Sequence, residues 1–259
     1  MWALDAQTHG ESAALNEDVM ADENWEMTME DCAEACVNLY NFYIAPGQRP
    51  HDRVIYIGHS AGSVCALLST SLFRDRAPYD ACILVEPAMW TEDLVGQNSP
   101  FFDMAILSLP KRREHWKSWE EMRNYIRARM PWNTWDKRAL DLYLKFAFKN
   151  DERRGGVTLK CSPKQEATPF KNIALVADVV KVLDKTCKYM PIHLVYGENN
   201  DLVTEEQQAS LLRDGRTFAS ITRIPGCGHM VVQEDPEAVT KVIWDILVDN
   251  SNPIPKHKL

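Results

Sequence analysis

The chain has 259 residues, of which 45% are hydrophobic and 25% are charged, as in ordinary globular proteins. This length accommodates one α/β domain with an inserted subdomain, or two small domains. The 37 acidic and 29 basic residues give a net charge of −8, which argues against a nucleic-acid partner because phosphate binding needs a basic surface.

The sequence contains no apolar run near the ~20 residues that a transmembrane helix requires, so we predict no transmembrane segment. The first residues lack the basic and apolar regions of a secretory signal. The seven cysteines are odd in number and irregularly spaced, which predicts reduced, mostly buried thiols. Since no cysteine or histidine has zinc-site spacing, we predict no metal site, and no motif calls for a cofactor.

The first third of the chain is predicted to contain, in order, the end of a strand, a helix, a buried strand, a second helix and a second buried strand. Thr28 is a suitable N-cap for the first helix, and Glu86-Pro87 stops the last strand. The predicted bounds are 2–4, 28–44, 53–58, 62–72 and 81–85.

Residues 97–170 differ in character, because they hold four tryptophans at helical spacing and no strand-like run. We predict a helical cap that ends in Gly155-Gly156 and a short extension at 157–159. Strand patterns return at 191–197 and 218–224, and an amphipathic helix follows at 237–248. The predicted organisation is a core in two parts, 1–96 and 171–249, with the cap at 97–170 between them and a tail at 250–259. Alternating strands and helices predict a mostly parallel sheet with helices on both faces.

The pattern Gly-x-Ser-x-Gly occurs at Gly58-His59-Ser60-Ala61-Gly62, between a predicted strand and a predicted helix. In this context the serine sits on a sharp turn, and the glycines let the backbone bend. We therefore predict Ser60 as a nucleophile, with the backbone N–H of Ala61 as an oxyanion donor. A serine hydroxyl needs a base and an orienting acid to react.

The predicted base is His229, which follows the last predicted strand in a glycine-rich loop. Of the other six histidines, His59 adjoins the nucleophile but is expected to point away from it along the turn. The acid should come between the serine and the histidine in the chain. Asp201, after the strand that ends at Gly197, is the predicted acid. Glu86, after an earlier strand, is the alternative, and Glu198 is a minor one.

These motifs resemble the α/β-hydrolase family over nearly the whole chain: strand–GHSAG–helix, VEP, a cap, GENND and GCGH. The opening segment Asp5-Ala6-Gln7-Thr8-His9-Gly10-Glu11-Ser12 looks like the D-x-x-x-H-G-x-S segment after that family's fourth strand. The resemblance implies an α/β-hydrolase fold with an inserted helical cap. The serine argues against dehalogenases and epoxide hydrolases of this fold, which use aspartate there.

The same resemblance implies three strands before this segment, and we expect the chain to lack them. The loop after the third strand normally supplies one oxyanion donor, and losing one donor costs about 10²–10³ in rate. The segment 2–4 would then lie without its neighbour or move beside the nucleophile strand. A truncated, non-catalytic remnant is therefore an alternative to an active enzyme.

The chain ends in His257-Lys258-Leu259, which resembles the SKL-type peroxisomal address. This ending predicts an import receptor as a partner and a peroxisomal location. Combined with the cap, it makes the chain resemble the fungal hydrolases of host-selective toxin clusters, those of AK-, AF- and ACT-type toxins. That resemblance implies a role in secondary metabolism and virulence.

The predicted function is hydrolysis of an ester or thioester of an apolar, fatty-acid-derived compound, and an acyltransferase with the same acyl-enzyme is the alternative. The aromatic residues of the cap fit an apolar acyl chain, although mutual helix packing is the favoured interpretation. Lys111-Arg112-Arg113 could meet coenzyme A phosphates, but a solvated surface is the simpler interpretation.

Overall fold

Two separate β-sheets organise the chain in a computed structural model, which describes residues 1–22, 24–49 and 52–251. The strands in this part of the chain are β1 (Ile55–His59), β2 (Ala81–Val85), β3 (His115–Trp116), β4 (Phe148–Asn150), β5 (Val157–Leu159), β6 (Ile192–Gly197) and β7 (Ser220–Ile224). The first sheet is parallel, with the strand order β1-β2-β6-β7. The second sheet is antiparallel, with the order β3-β5-β4.

Twelve α-helices lie in the described residues. They are α1 (Gly10–Leu15), α2 (Glu17–Met20), α3 (Met29–Leu39), α4 (Ala61–Leu72), α5 (Pro100–Ser108), α6 (Trp119–Arg127), α7 (Lys137–Phe146), α8 (Pro163–Ala167), α9 (Leu175–Thr186), α10 (Glu205–Ser210), α11 (Val231–Glu234) and α12 (Pro236–Ser251). A π-helical turn, Tyr40–Ile44, continues α3.

The parallel sheet is buried on both faces because alternate side chains of its strands enter two different cores. On one face Leu84 and Leu194 pack in a cluster with residues of α4 and α9. On the other face Ile83 and Val195 pack with residues of α12. Every residue of β2 is buried, which explains its unbroken apolar sequence. The result is a three-layer domain with helices on both sides of the sheet.

The sequence patterns correctly predicted the strands of the parallel sheet and the order of these strands along the chain. The predicted strand 81–85 coincides with β2, and the predicted helix 28–44 coincides with α3 and its π-helical continuation. Thr28 caps α3 in a capping box, since its Oγ1 accepts from the Asp31 backbone N–H and the Asp31 carboxylate accepts from the Thr28 N–H.

The predicted strand at residues 2–4 is wrong. This segment has no regular secondary structure, and the side chains of Trp2 and Leu4 are 61% and 45% exposed. It does not move beside the nucleophile strand either, because within the described residues β1 pairs with β2 alone. A strand is stabilised by its ladder of hydrogen bonds, and this segment has none with β1.

The sequence pattern suggested a purely helical cap, but the cap region also contains strands. Besides helices α5 to α8 it contains the small sheet β3-β5-β4, which packs with α6 and α7, so the expectation of no strand beyond the 157–159 extension is wrong. The two strands that were not predicted, β3 and β4, have two and three residues, which is too short for a period-2 pattern to be visible. The predicted domain bounds themselves stay predictions.

At the other end, α12 continues to Ser251, past the predicted start of the tail at residue 250. The predicted targeting residues His257, Lys258 and Leu259 lie outside the described residues. Among the helices that are described, none combines the length and apolar character needed to cross a bilayer.

Candidate active site

Ser60 lies at the carboxyl end of β1, on the turn into α4. Its φ of +52° lies in the left-handed region, which costs a non-glycine residue about 1–3 kcal/mol. The turn is held by the Ser60 N–H, which donates to the Val85 carbonyl at 2.9 Å. Ser63 supports it from within α4, since its Oγ donates to the Gly58 carbonyl at 2.7 Å. The predicted strand–serine–helix arrangement is therefore present.

Gly58 is required by this turn, whereas Gly62 is not. A Cβ atom on Gly58 would lie 2.3 Å from the carbonyl oxygen of Gly62, which is main chain and cannot rotate away. A Cβ on Gly62 would meet nothing within 4 Å. The helix thus approaches the strand at Gly58.

We expect Gly58→Ala to lower the free energy of unfolding by about 3 kcal/mol, as overpacking against rigid neighbours does. Gly62→Ala is the matched control, and we expect it to be neutral or to stabilise α4 by up to about 1 kcal/mol because alanine favours helix more than glycine. Urea unfolding monitored by circular dichroism measures both. Equal destabilisation by the two substitutions would contradict this account of the turn.

His229 lies in the loop between β7 and α11, and it is 5% exposed. Its Nε2 is 2.8 Å from the Ser60 Oγ. The structure thus brings together the predicted nucleophile and the predicted base, although 169 positions separate them in the chain.

Glu86 provides the carboxylate beside the His229 ring. Its Oε2 is 3.2 Å from His229 Nδ1, and its Oε1 accepts a hydrogen bond of 2.6 Å from the Gly197 N–H. Glu86 is 1% exposed and directly follows β2, where it has a φ of +47°. Two donors therefore satisfy a buried carboxylate, and its strained backbone aims it at the histidine.

The geometry corrects the prediction that Asp201 orients the His229 ring. Asp201 Oδ1 instead accepts from two backbone N–H groups, that of Leu202 at 2.8 Å and that of His229 at 2.9 Å. Asp201 therefore holds the main chain of His229, and the sequence alternative, Glu86, has the position at Nδ1. The minor alternative, Glu198, accepts from the Gly226 N–H at 2.8 Å, away from the ring.

These contacts define the proton positions on His229. A carboxylate can only accept, so Nδ1 carries the proton and donates it to Glu86. In the neutral ring Nε2 is then an acceptor, and the Ser60 hydroxyl donates to it. A hydroxyl in this state can lose its proton to the ring as it attacks an electrophile, so the three side chains can perform nucleophilic catalysis.

The backbone N–H of Ala61 is available for an oxyanion. Ala61 is the first residue of α4, and N–H groups in the first turn of a helix have no acceptor within the helix. Ala61 is also exposed. It follows Ser60 directly, as an oxyanion donor must in this type of turn.

His59 is a residue whose position the sequence did not reveal. Rather than pointing away from the site, its Nε2 is 2.8 Å from the carbonyl oxygen of His229, and the two imidazole centroids are 5.2 Å apart. Burial, followed by the proximity of His229, lowers the pKa of His59 to about 4. His59 is therefore neutral near pH 7 and donates from Nε2, because a carbonyl only accepts.

The aromatic residues of the cap pack chiefly against one another. Trp116 stacks edge-on with Tyr125 and Phe148 inside a separate cluster of the cap. The basic run 111–113 also has internal partners, since Arg112 pairs with Glu166 and Arg113 pairs with Glu121. Neither feature is therefore evidence for an acyl pocket or for coenzyme A.

All seven cysteines are free thiols, and Cys65, Cys82, Cys161 and Cys227 are buried. In the part of the chain that the structure describes, no group of three or more histidine, cysteine or acidic side chains is placed to hold a metal ion.

Several solved structures have a similar fold. The peroxisomal alpha-beta-hydrolase Lpx1 of Saccharomyces cerevisiae matches with a TM-score of 0.76 and 19% identity, over 98% of this chain and 68% of that one. E-2-(acetamidomethylene)succinate hydrolase matches with a TM-score of 0.70 and 16% identity, over 93% and 88%. The M. tuberculosis esterase Rv0045c matches with a TM-score of 0.61 and 18% identity, over 87% and 71%. At these identities the likeness shows the fold.

No curated protein sequence matches this chain significantly. The model of the Alpha/beta hydrolase family matches residues 1–242, which is most of the chain. This match agrees with the parallel sheet, the inserted cap and the serine on the turn after β1. The chain therefore belongs to the alpha/beta hydrolase family.

Proposed function

We propose that this protein is a serine hydrolase that cleaves an ester or thioester of an apolar, fatty-acid-derived compound. The observation that carries the proposal is the hydrogen-bonded series from Ser60 through His229 to Glu86. In this proposal Glu86 replaces Asp201 as the acid of the catalytic triad.

The reaction begins when Ser60 Oγ attacks the acyl carbonyl while His229 Nε2 accepts its proton. Glu86 stabilises the imidazolium that forms and keeps the proton-bearing Nδ1 turned toward itself. The Ala61 N–H donates to the oxyanion of the tetrahedral intermediate. His229 then protonates the leaving alcohol or thiol. Water, activated by the same ring, releases the acid from Ser60.

The buried position of Glu86 supports this assignment. Its carboxylate makes two hydrogen bonds and is shielded from water, so its attraction for an imidazolium is only weakly screened. Asp201, by contrast, accepts only from main-chain N–H groups. Its negative charge supports the loop rather than the ring.

A fluorophosphonate probe tests the proposal, because it modifies an activated serine irrespective of the natural substrate. We expect stoichiometric labelling of the folded protein at Ser60, and none in Ser60→Ala. Ser71→Ala, an exposed serine on the same helix, is the matched control and should label like the wild type. Failure of folded wild-type protein to react would refute the proposed activity.

The apolar, fatty-acid-derived acyl group is proposed from the sequence resemblance, and a series of acyl chain lengths tests it. The esterase from M. tuberculosis supports carbonyl esters as a class that this fold can serve. Rates measured on p-nitrophenyl esters of increasing chain length, and on the matching thioesters, should rise from acetyl toward longer chains. A preference for acetyl or for charged acids would exclude an apolar acyl substrate.

We also propose that the protein acts in peroxisomes. The support is the C-terminal His257-Lys258-Leu259 and the similar fold of Lpx1, which is named a peroxisomal hydrolase. A role in fungal toxin biosynthesis is the more specific proposal, and it rests on the sequence resemblance.

Deleting the last three residues from an N-terminal fluorescent fusion should change peroxisomal puncta into diffuse cytosolic signal, because the import receptor reads a free C-terminal tripeptide. His257→Ser, which creates the standard form of the signal, should keep the puncta. Live-cell imaging with a peroxisomal marker measures both. Puncta that survive the deletion would rule out this targeting signal.

A further inference from the structure

The main chain of His229 is held at both of its polar groups. Its N–H donates to Asp201 Oδ1 at 2.9 Å, and its carbonyl accepts from His59 Nε2 at 2.8 Å. The ring nitrogens have Ser60 and Glu86 as partners. Each group of His229 that can form a hydrogen bond thus has a defined partner.

The contact with His59 connects the loop of the base directly to the nucleophile. His59 is the last residue of β1, and Ser60 follows it. The same short segment therefore presents the nucleophile to the His229 ring and holds the His229 carbonyl. A shift of the loop relative to β1 would break the His59 contact as well as the contact with Ser60.

The contact with Asp201 anchors the loop from the other side. Its Oδ1 bridges the N–H groups of Leu202 and His229, so it connects the segment after β6 to the segment after β7. Gly228 makes this possible, because a Cβ there would lie 2.2 Å from Asp201 Oδ2. The absence of a side chain on Gly228 lets the carboxylate reach the neighbouring N–H.

We propose that His59 and Asp201 are positioning residues that clamp the backbone of His229 and thereby fix its ring against Ser60. This inference rests on the proposed function, since it concerns the base of that reaction. Neither residue touches the reacting atoms. Their effect is on rate, because a misplacement of about 1 Å between reacting groups costs about 10²-fold.

Paired substitutions test the clamp. His59→Phe keeps a flat ring without a donor, and we expect it to lower kcat and the rate of fluorophosphonate labelling about 30-fold while KM stays near the wild-type value. His59→Gln keeps an N–H donor and should retain the rate within about fivefold. On the other side, Asp201→Leu should behave like His59→Phe, and Asp201→Asn, which keeps an acceptor oxygen, should behave like His59→Gln.

Amide hydrogen exchange supplies a readout that does not depend on activity. We expect the His229 amide to exchange at least about 10-fold faster in Asp201→Leu and His59→Phe than in the wild type, and to stay protected in the two conservative variants. If the wild type is protected but unreactive, the proposed function fails and the clamp survives. The clamp would be overturned if His59→Phe had the amide exchange and labelling rates of the wild type. It would also be overturned if His59→Gln were labelled as slowly as His59→Phe. If His59→Phe does not fold, the two Asp201 variants decide by the same criteria.

Discussion

Glu86→Gln should lower kcat by about 10⁴-fold, the order of loss expected when the orienting acid of a triad becomes an amide. An amide can donate from its NH₂ group to His229 Nδ1. This hydrogen bond makes Nδ1 an acceptor and so favours the tautomer with the proton on Nε2. That tautomer cannot accept the Ser60 proton. The amide also lacks the charge that stabilises the imidazolium. Steady-state hydrolysis of an activated ester measures the loss.

Asp201→Asn is the matched control, because it makes the same change of carboxylate to amide on the other candidate acid. We expect a loss of about fivefold, since the amide oxygen still accepts from the His229 N–H with a somewhat weaker hydrogen bond. A larger loss in Asp201→Asn than in Glu86→Gln would return the acid role to Asp201, where the chain order had placed it.

Ser60→Ala and His229→Ala should each lower kcat/KM by about 10⁶-fold, and the double variant should be no slower than either one. The reason is that the two side chains act in one step. A hydroxyl without its base is a weak nucleophile, and a base without the hydroxyl has no proton to accept. The residual rate over water then reflects substrate binding and the Ala61 N–H.

This cycle needs sensitive kinetics and a stability control. Both alanine variants should keep a cooperative unfolding transition, which separates loss of chemistry from loss of fold. If the double variant has a kcat/KM far below that of either single variant, Ser60 and His229 contribute independently. The hydrogen-bonded pair would then not be the reacting unit.

The nucleophile and the base were predictable from sequence, because each is flanked by glycines at the end of a strand. Ser60 stands between Gly58 and Gly62, and His229 follows Gly226 and Gly228. Local pattern alone locates such residues at the carboxyl edge of a parallel sheet.

The choice of acid was not predictable, because it depends on the order of strands in space. Asp201 and Glu86 both follow strands, and both lie between the serine and the histidine in the chain. Only the order β1-β2-β6-β7 shows that β2 is the neighbour of the nucleophile strand. Glu86 therefore emerges beside Ser60, whereas Asp201 emerges one strand further away and reaches only the His229 main chain.

Two further features depended on long-range contacts. The segment 2–4 has the composition of a strand but no ladder with β1 in the described structure. A strand prediction from composition alone is therefore wrong here. His59 has no motif that marks it as a partner of His229, because the contact joins residues 170 positions apart. Such contacts depend on tertiary packing, which sequence periodicity does not predict.

The order of these residues along the chain bears on how such a protein can diversify. Ser60 and Glu86 both come before α5, on adjacent strands, and His229 comes after the small sheet of the cap. Recombination that replaces the segment between β2 and α9 would leave the serine and the glutamate on one uninterrupted stretch of polypeptide. Asp201 and His229 would both come from the part of the chain after the replaced segment, and His59 would hold the His229 loop from the end of β1. Evolution can therefore exchange the cap while the serine and the glutamate are inherited together.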